Sequence, residues 1–248
     1  MANGSIAETD LAVKTYGSIV GNRWIQLAAG VTAMVVISNF QYAFTLFTPG
    51  LKQQFASAPY SDIALIYTLF ILFETWPVPV AGYFLDKFGI RNLMLVGAVL
   101  IFLGWVLGGM FATSLFHLYI YYGVLAGTGC GIIYIATVAN AVKWFPDKRG
   151  LAAGLTAAGF GGGSALTLIP ISGSIGSMGW AGAMTAWGIG QGVVAIVMAM
   201  ILHHPPKGWL PKDWVQPKAV LQTRKEFSAA QMMSSKEFYI MYAMFLMV

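Results

Sequence analysis

Six apolar runs divide the chain at near-regular intervals, close to 25–47, 63–85, 92–112, 117–141, 151–171 and 181–202, with short polar segments between them. Each is near the roughly 20 residues that an α-helix needs to cross about 30 Å of hydrocarbon. The pattern predicts an all-α membrane protein with six crossings. A seventh apolar run begins near Phe238 and stops at Val248, about half the length of a crossing. The expected division is therefore a leading segment over 1–23, a six-helix bundle over 24–202, a connector over 203–236 and the beginning of a seventh helix over 237–248. The leading segment contains Glu8, Asp10 and Lys14 and has no apolar core, so it does not read as a cleaved signal peptide.

Composition supports the same class. Of 248 residues, 58% are hydrophobic and 9% charged, where a soluble domain has about 25% charged. Mean hydropathy is +0.71. The net charge of +5 gives little support to nucleic-acid binding, because the basic residues sit in the loops between crossings. Thirteen of the fourteen lysines and arginines fall before span one, after spans two and four, or between Lys207 and Lys236; Lys52 alone lies on the other side. This positive-inside bias places the N-terminus and the connector in the cytoplasm of a multi-pass cell-membrane protein. Four prolines and mixed charge make the loop over 203–236 a connector between membrane bundles, with binding of anionic lipid as its alternative.

Several side chains are costly to place in hydrocarbon. Glu74 lies midway along span two, where an ionised carboxylate costs at least about 2.5 kcal/mol, so it must face protein or water, or hold a proton. It is a candidate for proton coupling or for an interhelical polar contact, beside carbonyls freed by Pro77 and Pro79. Gln41, Tyr42 and Thr45 in span one need partners or a cavity, and a continuous helix puts Tyr42 and Thr45 on one face. Tyr134 in span four is a weaker candidate for the cavity wall. Glycines 123, 127 and 131 form a stripe for close helix approach. Cys130, the sole cysteine, has no internal disulfide partner. His203 and His204 have no further ligands nearby and no catalytic constellation occurs within a span, so neither metal, cofactor nor enzymatic chemistry is expected.

Two loop segments narrow the reading. In GYFLDKFGIRN, Gly82 to Asn92, Asp86 sits at the negative end of a helix, where Lys87 and Arg91 can offset it, and Gly89 suits a tight reversal. Its spacing resembles the signature of the major facilitator superfamily, with Asn92 where a further basic residue is usual. That resemblance implies a charge network of Gly82, Asp86, Lys87, Gly89 and Arg91 that steadies one access state. The second segment, KWFPDKRGLAAGL, holds Asp147, Lys148 and Arg149, and Asp147 is expected to cap the next helix. With QYAFTLFTPGL and ETWPVPVAGYFLDKFG it resembles the oxalate/formate antiporter and monocarboxylate porter branch.

The resemblance implies the N-terminal bundle of a two-bundle transporter, built as two three-helix inverted repeats and broken off in the seventh span. It implies alternating-access exchange of oxalate and formate, with Gln41 and Tyr42 on the dicarboxylate. An anion at mid-bilayer needs cations, and none lies within spans one to six. The resemblance places them in a second bundle, so the chain alone is expected not to transport. Proton-coupled monocarboxylate uptake and a non-transporting membrane interaction module are the competing readings.

Overall fold

The computed structural model describes residue 17 and residues 20–206, 208–211 and 234–246; the side chain of Asp86 is outside that set. Among the described residues the chain is all helical. Helices α1 (Arg23–Tyr42) and α2 (Phe44–Gln54) form the first crossing, and α3 (Tyr60–Thr75) and α4 (Val78–Phe88) the second. Helix α5 (Ile90–Phe111) is the third crossing. The fourth runs from α6 (Leu115–Leu118) through a π-helical segment (Tyr119–Ala126) into α7 (Gly127–Trp144).

Helix α8 (Arg149–Ile201) spans 53 residues but breaks at Gly179, where φ is 75° and ψ is 169°. Trp187 Nε1 donates to Ser174 Oγ at 3.1 Å, thirteen positions away. A continuous helix would separate those residues by roughly 20 Å, so the chain reverses at Gly179 and makes the fifth and sixth crossings. The fifth helix runs to Met178, seven residues past the apolar run that predicts it. Gly89, between the second and third crossings, adopts nearly the same angles, φ 78° and ψ 163°. Equivalent reversals between the second and third members of each trio are what two repeats of opposite direction require. Only glycine takes this backbone conformation without strain.

Lipid supplies no hydrophobic drive for helix association, so close van der Waals contact has to hold the bundle. The glycine stripe provides it. A Cβ at Gly131 would overlap the Glu74 carbonyl oxygen, one at Gly127 would lie 2.6 Å from that of Phe70, and one at Gly123 2.8 Å from Leu69 Cβ. Elsewhere Gly163 meets Val35, and Gly188 meets Trp105, with the same closeness. An aromatic centre fills the space between the first four crossings: Trp105 contacts Phe40, Phe47 and Tyr122, and Tyr122 also contacts Phe44 and Phe70.

The basic end of the bundle is closed by polar contacts. Gln26 is buried and uses its whole amide: Nε2 donates to the carbonyls of Val20 and Ile201, and Oε1 accepts from His203 N. Arg23 Nη1 donates to both carboxylate oxygens of Asp147 at 2.9 and 3.0 Å, and its guanidinium lies over the Phe145 ring. Asp147 therefore does not cap the next helix, whose N-cap is Lys148 without a side-chain bond; the nearby guanidinium outcompetes a single backbone N–H. The first connector residues join this cluster. Trp144 donates to the His203 carbonyl and packs on Trp209, and His204 Nδ1 lies 3.1 Å from Asn140 Oδ1.

The chain divides into two units, Met1–Asp213 and Trp214–Val248. In the second, α9 (Lys236–Leu246) carries Phe238 stacked on Tyr242. Most of the expected connector, 212–233, lies outside the described residues.

Gly131→Val is expected to unfold the detergent-solubilised bundle at markedly lower temperature, by about 1–3 kcal/mol or more of overpacking. Gly154→Val, whose Cβ meets nothing within 4 Å among the described residues, should leave the melting temperature nearly unchanged. Asp147→Ala should cost about 1–2 kcal/mol in the same measurement, and the Arg23→Met, Asp147→Ala double variant little more than either single change.

Candidate functional site

Span one kinks at Ala43, whose φ of −85° and ψ of −4° end α1, and Leu46 N bonds back to the Ala43 carbonyl in a tighter turn. The continuous helix expected to carry both Tyr42 and Thr45 is thus interrupted between them. Tyr42 closes α1, 40% exposed, while Thr45 is exposed on α2 and Gln41 is half-buried. The Tyr122 hydroxyl donates to the Phe40 carbonyl beside the kink, pinning it to the π segment of span four.

At this kink three crossings converge. The Tyr42 ring lies 5.6 Å from that of Phe160 in span five, and Tyr134 of span four meets Phe160 edge-on at 5.2 Å. Phe160 thus joins the two tyrosines into one aromatic wall. Sequence reasoning missed it, although a single bulky ring within GFGGGS was the available signal: Gly159 and Gly163 pack on span one, and Phe160 flanks that face, where it reaches Tyr42 of span one and Tyr134 of span four. Phenolic hydroxyls can donate to a carboxylate, and aromatic edges carry the positive part of the ring quadrupole. The wall can therefore receive a small anion without itself being charged.

Glu74 lies within electrostatic reach of Tyr42, together with Tyr67 and Tyr134. It is 9% exposed at the end of α3, and its Oε1 accepts the Cys130 thiol at 3.2 Å. Cys130 sits between Gly129 and Gly131, so the close approach of span four to span two is what brings the thiol to the carboxyl. Among the described residues Oε2 has no donor and Glu74 has no ion pair. The described cations lie at span ends; Lys52, for instance, donates to the carbonyls of Ala56 and Ala58.

The loop candidates lie apart from this wall. Asp86 is on the last turn of α4, and its side chain is outside the described set. Lys87 Nζ lies 5.4 Å over the Phe88 ring, and Arg91 is exposed. A Cβ on Gly82 would meet nothing among the described residues. Asn92 donates to the Phe88 carbonyl at 3.1 Å and so finishes span two. Lys148 and Arg149 open α8 beside the Arg23–Asp147 pair.

The family model of the Major Facilitator Superfamily matches residues 28–248. The oxalate:formate antiporter of Oxalobacter formigenes is 33% identical over 93% of this chain and 53% of its own length. The uncharacterized MFS-type transporter YhjX of Escherichia coli (strain K12) is 27% identical over 90% of this chain and 54% of its own length. Monocarboxylate transporter 11 of Mus musculus is 29% identical over 75% of this chain and 39% of its own length. The chain thus spans about half the length, or less, of these relatives, which are transporters rather than enzymes. With its all-helical crossings and a match over most of its length, the chain belongs to the Major Facilitator Superfamily.

Proposed function

We propose that these crossings are one half of a secondary transporter of small carboxylates that works by alternating access, with oxalate/formate exchange as its cycle. The observation that carries this reading is the wall of Tyr42, Tyr134 and Phe160 at the meeting of spans one, four and five. It offers hydroxyl donors and ring edges to an anion but no positive charge. Gln41, beside Tyr42, and Thr45, beyond the kink, supply further donors at the cavity edge. A carboxylate drawn from water to that depth needs cations, which we assign to a second bundle of the same protein. The relatives, about twice as long as this chain, have room for one.

The basic bias of the loops supports a cell-membrane protein with a cytoplasmic N-terminus and lipid around its outer faces. Gly82, Asp86, Lys87, Gly89 and Arg91 are assigned to the charge network that holds one access state. Asp147, with Arg23, closes the same end of the bundle.

Glu74 favours a second reading, proton-coupled uptake of a monocarboxylate. A buried carboxyl with a thiol on one oxygen and no cation among the described residues is chemically suited to exchange a proton within reach of the aromatic wall. The monocarboxylate transporters among the relatives fit that reading too.

Counterflow of radiolabelled oxalate, formate and lactate in proteoliposomes separates these possibilities. The full-length protein should exchange oxalate for formate, whereas residues 1–248 alone should not; robust counterflow by the latter would contradict the assignment of cations to a second bundle. Phe160→Ala in the full-length protein should raise the half-saturating oxalate concentration roughly two- to tenfold, the worth of an aromatic pair. Glu74→Gln should leave oxalate/formate counterflow within about twofold, a free-energy change too small to matter. Loss of pH-dependent lactate uptake in Glu74→Gln would instead establish proton coupling.

A further inference from the structure

Span two contains an aromatic hydroxyl that the wall of Tyr42, Tyr134 and Phe160 does not use. Tyr67 lies on α3 with Phe70 three positions on and Glu74 seven, the spacing of one helix flank. Phe70 and Glu74 are buried, and the backbone of each meets a glycine of span four. The Tyr67 ring stacks on two others, Phe44 at 5.4 Å with 21° between planes and Phe70 at 6.4 Å with 5°. Phe44 opens α2 directly after the kink at Ala43. The ring is therefore fixed from two spans, and a side chain already fixed loses little freedom when it binds a ligand.

The hydroxyl on this fixed ring is uncommitted. In span four, Tyr122 gives its hydroxyl to the Phe40 carbonyl and Tyr119 gives its own to that of Asp62. Tyr67 is half-buried; its hydroxyl has no partner among the described residues, and the oxygen is not enclosed. A phenol left without a bond inside a crossing is costly, so it needs a polar space or a ligand. Two neighbours locate that space. The Tyr67 phenol is within electrostatic reach of those of Tyr42 and Tyr122. Tyr42 closes α1 just before the kink, and Tyr122 is bonded to the Phe40 carbonyl beside it. Tyr42 thus neighbours both the wall built with spans four and five and the open hydroxyl of span two.

Donor chemistry gives that hydroxyl a use. A phenol offers one O–H, whereas an ionised carboxylate accepts at about four lone-pair sites. Oxalate carries two carboxylates and can draw on donors from separate spans at once; formate carries one. We infer that Tyr67 determines specificity in the substrate site, its hydroxyl donating to the second carboxylate of a dicarboxylate whose first lies on Tyr42 and Tyr134. The inference rests on the transport reading and names the group that tells two carboxylates from one.

The test is Tyr67→Phe in the full-length protein, a change that keeps the ring and its stacking and removes only the hydroxyl. Half-saturating concentrations of radiolabelled oxalate and of radiolabelled formate are measured by counterflow in proteoliposomes, for parent and variant. The oxalate value should rise roughly tenfold, the loss of one hydrogen bond to a charged acceptor, while the formate value stays within about twofold. The variant should melt at the temperature of the parent, because the hydroxyl makes no bond within the bundle. If the parent exchanges both anions, then an equal rise for the two substrates, no rise for either, or a lower melting temperature would overturn the inference and leave the transport reading standing. A parent that exchanges neither anion would overturn the transport reading, and this inference with it.

Discussion

A buried N–H, O–H or C=O in hydrocarbon has no water to fall back on, so the protein itself must complete it. The rest of the structure follows from that constraint. Gln26 spends every amide atom on backbone groups where span one, span six and the connector meet. Tyr122 delivers its hydroxyl to the Phe40 carbonyl at the kink of span one. Cys130 serves Glu74, and Asn92 the last turn of span two. These bonds fix where helices end or bend, and the bends decide which side chains meet. The unsatisfied amides of Asn39 and Gln191 stand out against this economy.

Close backbone contact is the second requirement, and it joins packing to the site. Only an absent side chain lets Gly131 reach the Glu74 carbonyl, and that approach sets the Cys130 thiol against the Glu74 carboxyl. In span five Gly159 and Gly163 turn toward span one, and the ring between them reaches Tyr42 and Tyr134. A glycine pattern that reads as mere packing thus determines the composition of the wall. The paired reversals at Gly89 and Gly179 place corresponding turns at opposite ends of the bundle, as two inverted trios need.

The six crossings were legible because a run of about 20 apolar residues has few stable alternatives in lipid or water. Their ends were less so: α1–α2 and α8 carry helix beyond the apolar runs, because Trp180 bonds Gln54 across the far end and gives the extra turns a tertiary anchor. The break at Ala43 has no glycine or proline beside it to announce it and is tied to the Tyr122 hydroxyl of span four, while the π segment over Tyr119–Ala126 holds Gly123 but no proline. Asp147 reads locally as a cap, but an arginine 124 positions away claims it. Glu74 was conspicuous as a charge within a span, whereas its partner and the contribution of Phe160 depend on how helices cross. Local sequence does not encode that crossing by itself.

The central structural claim is a dry, close crossing of spans two and four that encloses Cys130 and holds it on Glu74. As the sole cysteine in this sequence, Cys130 permits a direct measurement: the rate at which a small membrane-permeant maleimide alkylates residues 1–248 in folded, reconstituted form and after denaturation. No appreciable reaction is expected in the folded protein, and complete reaction once it is unfolded. Rapid alkylation of the folded protein would contradict it, because the crossing that gathers the carboxyl, the thiol and the aromatic wall would then be open.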